Sequence, residues 1–308
     1  MEVAFVFPGQ GSQKVGMGQA ACDVSPEAKS VFDAADEALG ESLSSLCFEG
    51  PEEKLMLTAN TQPAILTTSV ALLKALGETP DVAAGHSLGE YSAHVCAGTV
   101  DFADAVRLVR VRGQYMQEAV PVGVGAMAAA LRIDAEQVEA ICAETEGTVE
   151  AVNYNSPGQV VIAGDKAAVD AAVEAIKAAR GRAMPLPVSA PFHSSLMKPA
   201  EERLAPHLSE IAFRDPSLPV YVNVDAAAVS TGDAARDALL RQVSRPVRWQ
   251  QSVEKMIADG VGLFVEIGPG RVLTGLIGRI SKEVGKISVQ GPDDLDAARA
   301  AIAEARGA

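Results

Sequence analysis

Gly85-His86-Ser87-Leu88-Gly89 fits the pattern G-x-S-x-G within a chain of 308 residues. The apolar run Val82 to Ala84 precedes it as a short strand, and Glu90-Tyr91-Ser92-Ala93 opens a helix directly after it. Glycine on both sides permits a turn tight enough to lift the serine oxygen clear of the backbone. The first N–H groups of the helix favour developing negative charge at the same point. Ser87 therefore reads as the nucleophile of an acyl-transfer reaction. The alternative is a structural serine in a tight turn.

A nucleophilic serine needs a base, and the chain offers His86, His94, His193 and His207. The sharp turn should send the His86 side chain away from Ser87. His94 falls one or two turns into the helix, and His207 sits in a polar helix beside Pro206, so surface positions are expected for both. His193 follows Ala190-Pro191-Phe192, where the chain re-enters its larger part. Clefts form at such junctions, and nucleophile before histidine is the order of α/β-hydrolase-like sites. His193 is the expected base, with an idle loop histidine as the alternative. For the oxyanion hole, the backbone N–H groups of Leu88 and of the glycine-flanked Gln10 are the expected donors.

Arg112 is the most informative single residue. On a helix from Asp101 to Ala119, steps of 100° gather Leu108, Val111, Tyr115 and Ala119 on one face. Arg107, Arg110, Gln114 and Glu118 fall opposite, and Arg112 projects into the apolar arc. A buried guanidinium needs an anion, and its planar fork suits a carboxylate. That anion is either an internal acidic side chain or a ligand. Beside an acylating serine, a substrate carboxylate is the sharper reading.

Several functions are excluded. Twenty-six basic against 40 acidic residues give a net charge of −14, and no basic run supplies the local positive surface that nucleic acid requires. Cys22, Cys47, Cys96 and Cys142 are scattered without metal-ligand spacing, so no metal is expected and free thiols are. Gly9-Gln10-Gly11 carries Lys14 where a dinucleotide fingerprint needs its third glycine. Gly123 to Ala128 fits G-x-G-x-x-A but leads into a strand instead of opening a helix. The N-terminus lacks the features of a secretory signal, and no run reaches the roughly 18 apolar residues of a membrane span. A cytoplasmic protein without membrane association is expected.

The elements that must position these residues form an α/β pattern. Val3 to Phe7 is a buried strand stopped by Pro8-Gly9, and helical spacing covers 26–40 and 61–76. After Pro121 the order changes to strand 125–133, helix 134–145, strand 149–154, strand 159–163, helix 165–180 and strand 182–188. That βαββαβ order is ferredoxin-like. The chain then returns to larger α/β elements, ending in strand Leu263 to Ile267, the Gly268-Pro269-Gly270 turn and helix 271–283. The expected fold is a large α/β-hydrolase-like domain with a mostly parallel sheet (1–121 and 192–308). A small ferredoxin-like α+β domain is inserted at 122–191.

Phe7-Pro8-Gly9-Gln10-Gly11-Ser12-Gln13, Gly85 to Tyr91, Arg112-Gly113 to Met116-Gln117, Asn155 to Gln159, His193 to Pro199, Pro246 to Trp249 and Glu266 to Gly270 closely resemble the malonyl-CoA:acyl carrier protein transacylase family. The resemblance spans essentially the whole chain. It implies a two-step transfer in which Ser87 takes malonyl from malonyl-CoA, Arg112 holds the free malonyl carboxylate, and the phosphopantetheine thiol of acyl carrier protein collects the group. His193 moves the proton in both steps. No cofactor is permanently bound. In this family a backbone carbonyl orients the histidine, and the matching segment places it at Arg248, where bacterial relatives commonly carry Gln. In the related polyketide acyltransferases, Phe at Phe192 accompanies malonyl and Ser often methylmalonyl; a packing role is the alternative. Fatty-acid synthesis is the leading pathway. A polyketide acyltransferase and a thioester hydrolase are the other enzyme readings, while an idle carrier-binding module conflicts with the intact Ser87, His193 and Arg112. Carrier proteins are themselves usually acidic, so local cations must guide docking, and Lys177, Arg180, Arg182 and Lys198 are the expected patch. A monomer is expected.

Overall fold

The computed structural model describes residues 1–188 and 190–307. The strands are β1 Glu2–Phe7, β2 Val82–Gly85, β3 Gly125–Leu131, β4 Val149–Ser156, β5 Gln159–Asp165, β6 Arg182–Pro185, β7 Val220–Val222, β8 Ala227–Val229, β9 Val261–Ile267 and β10 Gly285–Val289. They form a six-stranded sheet, β10-β9-β1-β2-β7-β8, and a four-stranded sheet, β4-β5-β3-β6. The large sheet is parallel except for β8, which runs antiparallel to β7.

Side-chain alternation along β1 explains why its run is apolar throughout. Val3, Phe5 and Phe7 enter the core on one face, shared with Ile65 and Leu66 of helix Thr58–Leu76. Ala4 and Val6 enter a second core with Trp249, Phe264 and Leu276 on the other face. A strand covered on both faces loses the polar half of its alternation. The parallel pairing of β1 with β2 and β9 brings their C-terminal ends together, and the loops after β1 and β2 leave there. In open α/β sheets that edge is where ligands bind.

The four-stranded sheet is antiparallel and has the strand order of a ferredoxin-like fold. Helices Ala135–Glu144 and Lys166–Ala178 cover one face over a separate core that includes Ala130, Val138, Ile162 and Ile176. Met127, Val161 and Ala163, on its other face, join the core of the large sheet. The Tyr154 N–H donates to the Val247 carbonyl at 2.9 Å, and the Val247 N–H donates to the Val152 carbonyl at 2.8 Å. Two layers are thus sewn together along β4. β7, β8, β10 and the C-terminal helix Leu295–Arg306 go beyond the elements expected from sequence. With three residues each, β7 and β8 are too short for periodicity to register. No helix among the described residues is long and apolar enough to cross a membrane.

His94 overturns the surface position expected for it. Gly89–Cys96 is buried through His94, whose ring is fully inaccessible with neither nitrogen paired among the described residues. Burial pushes its pKa from 6.5 down to about 3. Below pH 6.5 the unfolded chain therefore binds a proton that the folded chain refuses, and stability falls as pH drops. Each unit costs up to about 1.4 kcal/mol for this group. Urea unfolding of His94→Leu at pH 7 and pH 5 should show a smaller acid loss than the parent; an equal loss would contradict this source.

Candidate active site

The elbow after β2 is set by close backbone approach. A Cβ on Gly85 would meet the Gly89 carbonyl carbon at 1.9 Å, and one on Gly89 would meet the Phe7 carbonyl oxygen at 2.0 Å. Only glycine fits at either position, so the turn packs directly onto the end of β1. Ser87 between them adopts φ 51°, a left-handed conformation that a non-glycine residue holds only under constraint.

Ser87 Oγ lies 2.7 Å from His193 Nε2. His193 is buried at φ 65°, and its Nδ1 is 2.8 Å from the Gln242 carbonyl. A carbonyl can only accept, so Nδ1 carries the hydrogen and Nε2 presents its lone pair to the Ser87 hydroxyl. Burial, and then the Arg112 charge, push the His193 pKa down to about 3, leaving the imidazole neutral near pH 7. This is the protonation state a general base needs.

The orienting carbonyl differs from the expected one. Arg248 caps helix Trp249–Ala258, and its carbonyl accepts from the Ser252 N–H and hydroxyl, each at 2.9 Å. A residue preceding a helix already commits its carbonyl to the first helical hydrogen bond. Gln242, six residues earlier, fills the role, and the Arg248 guanidinium instead lies over the Tyr154 ring.

The helix bearing Arg112, Phe102–Glu118, buries Ala105, Val109, Arg112 and Met116, while Val111 and Tyr115 are only half-buried. The buried stripe is thus rotated from the expected face and places Arg112 within it. The guanidinium is 1% exposed. It donates to Gln62 Oε1 and Gln242 Oε1, each at 2.8 Å, and to Ser87 Oγ at 3.2 Å. It forms no salt bridge among the described residues. Burial opposes its charge, while Tyr91 and Glu90 support it. Two neutral amides orient the cation without neutralising it.

Ser87, His193, Arg112 and Gln62 line one cleft of about 390 Å³ between the sheets, with Gln10, Leu88 and Phe192 also on its wall. The Gln10 and Leu88 N–H groups have no partner among the described residues. The Ser87 N–H is taken by Asn223 Oδ1 at 2.7 Å. His86 turns from the nucleophile, as its place in the elbow requires, and its Nε2 lies 2.8 Å from Asn155 Oδ1. Gln62, Gln242 and Asn223 carried no sequence signal beyond being common polar residues. Glu266 of the Glu266 to Gly270 segment caps helix Val272–Ile280 through the Leu273 and Thr274 N–H groups at 3.0 and 2.6 Å, which is a scaffold role.

The four basic residues expected to guide a carrier are not equivalent. Lys177 pairs with Glu174 at 2.7 Å and Lys198 with Glu201 at 2.5 Å. Arg180 and Arg182 are exposed and form no salt bridge among the described residues. β6 carries Arg182 and runs toward Leu186, on the cleft wall.

A largely parallel α/β sheet with a serine elbow, joined to a ferredoxin-like layer across a cleft, defines an acyltransferase architecture. The chain belongs to the acyl transferase domain family, which matches residues 4–301. It is 52% identical over 304 residues to malonyl CoA-acyl carrier protein transacylase of Escherichia coli (strain K12), covering 96% of this chain and 98% of that one. The crystal structure of an acyl-carrier-protein S-malonyltransferase from Burkholderia pseudomallei 1710b superposes with a TM-score of 0.94 at 49% identity, over 97% of this chain and 99% of that one. A type II PKS acyl-carrier protein complexed with its malonyl-transacylase gives 0.94 at 48% identity, again covering 97% and 99%.

Proposed function

We propose that this chain moves the malonyl group from malonyl-CoA to the phosphopantetheine thiol of an acyl carrier protein, through a malonyl ester on Ser87. The observation that carries this reading is Arg112: a buried cation, held by amides and not by a carboxylate, 3.2 Å from the nucleophilic oxygen. An acyl group ending in a free carboxylate supplies the missing anion.

In the first step the Ser87 hydroxyl proton passes to His193 Nε2 as Oγ attacks the thioester carbonyl. The Gln10 and Leu88 N–H groups receive the oxyanion. The carbon–sulfur bond then breaks, and the CoA thiolate takes the proton from His193. In the second step the carrier thiol gives its proton to His193 and attacks the ester, and Ser87 leaves with that proton. The Gln242 carbonyl supports the imidazolium formed in each half-reaction. Phe192 lies on the cleft wall, and the crowding of an α-methyl group by its ring is the reading that favours malonyl over methylmalonyl.

The reaction is placed in the cytoplasm, where the four free thiols are compatible with reducing conditions and malonyl carrier feeds fatty-acid elongation. The neighbour bound to a type II PKS carrier favours one second reading, a polyketide carrier as acceptor. Mass spectrometry of fatty-acid and polyketide carriers after incubation with a panel of acyl-CoA esters tests both. The expected product is malonyl on a carrier thiol. Thioester loss at one rate with and without carrier would point to hydrolysis instead.

Arg180 and Arg182 are assigned to carrier docking, with Lys177 and Lys198 contributing less because acidic neighbours already hold them. Arg180→Glu with Arg182→Glu should raise the KM for carrier several-fold, with little change in the KM for malonyl-CoA. An unchanged carrier KM would remove this patch from the account.

A further inference from the structure

Asn223 directly follows β7, is fully buried, and has every polar group occupied. Its Oδ1 accepts from the Ser87 N–H at 2.7 Å, and its Nδ2 donates to the Gly85 carbonyl at 2.7 Å. The main-chain N–H donates to Glu90 Oε2 at 2.7 Å, while the main-chain carbonyl accepts from the Arg248 N–H at 3.0 Å. One carboxamide therefore spans the elbow from the residue before His86 to the nucleophile, and its backbone is pinned at both ends. A strained conformation such as φ 51° at Ser87 persists only where the surroundings over-determine it.

We infer that Asn223 is a positioning residue for acyl transfer: its side chain staples the Gly85 carbonyl to the Ser87 amide and so aims Ser87 Oγ at His193. This rests on the acyl-transfer reading for its purpose. By occupying the Ser87 N–H, the staple also dedicates the oxyanion hole to the Leu88 and Gln10 amides. Glu90 anchors the staple from the helix that follows the elbow, and Arg112 and Asp225 are the charged groups acting on that carboxylate. A residue that merely ended β7 would need neither side-chain bond.

Asn223→Asp separates the two roles. The carboxylate keeps an acceptor for the Ser87 N–H but turns an acceptor toward the Gly85 carbonyl, and protonation restores the donor. The measurement is the rate of Ser87 labelling by a fluorophosphonate, expressed relative to the unsubstituted protein at the same pH. The Asp variant should be slower by roughly tenfold at pH 9, the loss expected of one buried hydrogen bond. It should recover most of that deficit at pH 5.5. Asn223→Ala, which loses both bonds, should stay slow at both pH values, with kcat for malonyl transfer falling more than KM for malonyl-CoA rises. An Asp variant whose deficit is absent at both pH values, or equal at both, overturns the staple. Malonyl transfer by the unsubstituted protein is assayed in the same samples. Labelling without transfer would contradict the reaction assigned above, and the labelling ratio would still decide the role of Asn223.

Discussion

Ser87→Ala is expected to abolish the acyl-enzyme and to lower malonyl transfer by on the order of 10⁴-fold or more, the scale of loss when a covalent nucleophile is removed. The reason lies in the division of labour within the cleft. His193 is neutral, carries its hydrogen on Nδ1, and has Nε2 2.7 Å from the serine oxygen. Without that oxygen the base has no proton to take, and the oxyanion donors face no forming bond. The fold should be unaffected, because Asn223 and Gln242 hold the Ser87 backbone through its N–H and carbonyl, which alanine retains. Steady-state transfer and thermal melting on the same preparation check both halves. Retained transfer would contradict a covalent route through Ser87.

Arg112→Ala should reduce kcat/KM for malonyl-CoA by on the order of 10²- to 10³-fold, the range for losing one partner of a buried charge pair. Acetyl-CoA should lose far less, since it has no second carboxylate. The present arrangement makes the contrast sharp. Arg112 is held by Gln62 and Gln242, so its charge stays available to the substrate. The readout is the ratio of kcat/KM for the two donors. Equal losses would make Arg112 a support for Ser87, with which it also shares a hydrogen bond, and not a carboxylate receptor.

What was legible in the sequence follows from range and chemistry. The elbow announced itself because strand, paired glycines and helix lie within about ten residues. Arg112 stood out because a cation within an apolar helical arc is costly unless it has a purpose. The ferredoxin-like layer showed in the order of its strands and helices. The groups that complete the site behave otherwise. Asn223 and Gln242 reach Ser87 from 136 and 155 residues away, and neither type is distinctive. The carbonyl that orients His193 belongs to a backbone, which has no side-chain signature, so the resemblance points to Arg248 and nothing in the sequence marks Gln242. His94 was misplaced for a related reason. A polar residue on a short helix suggests solvent, yet this helix is enclosed by neighbours distant in the chain.

The proposed route holds a malonyl group on Ser87 and hands it to a carrier. Peptide mapping by mass spectrometry after incubation with malonyl-CoA, followed by a chase with phosphopantetheine-bearing carrier, tests it most directly. A malonyl adduct on Ser87 alone is expected, lost during the chase as malonyl appears on the carrier thiol. An adduct on another residue, or one that decays equally fast without carrier, would contradict it.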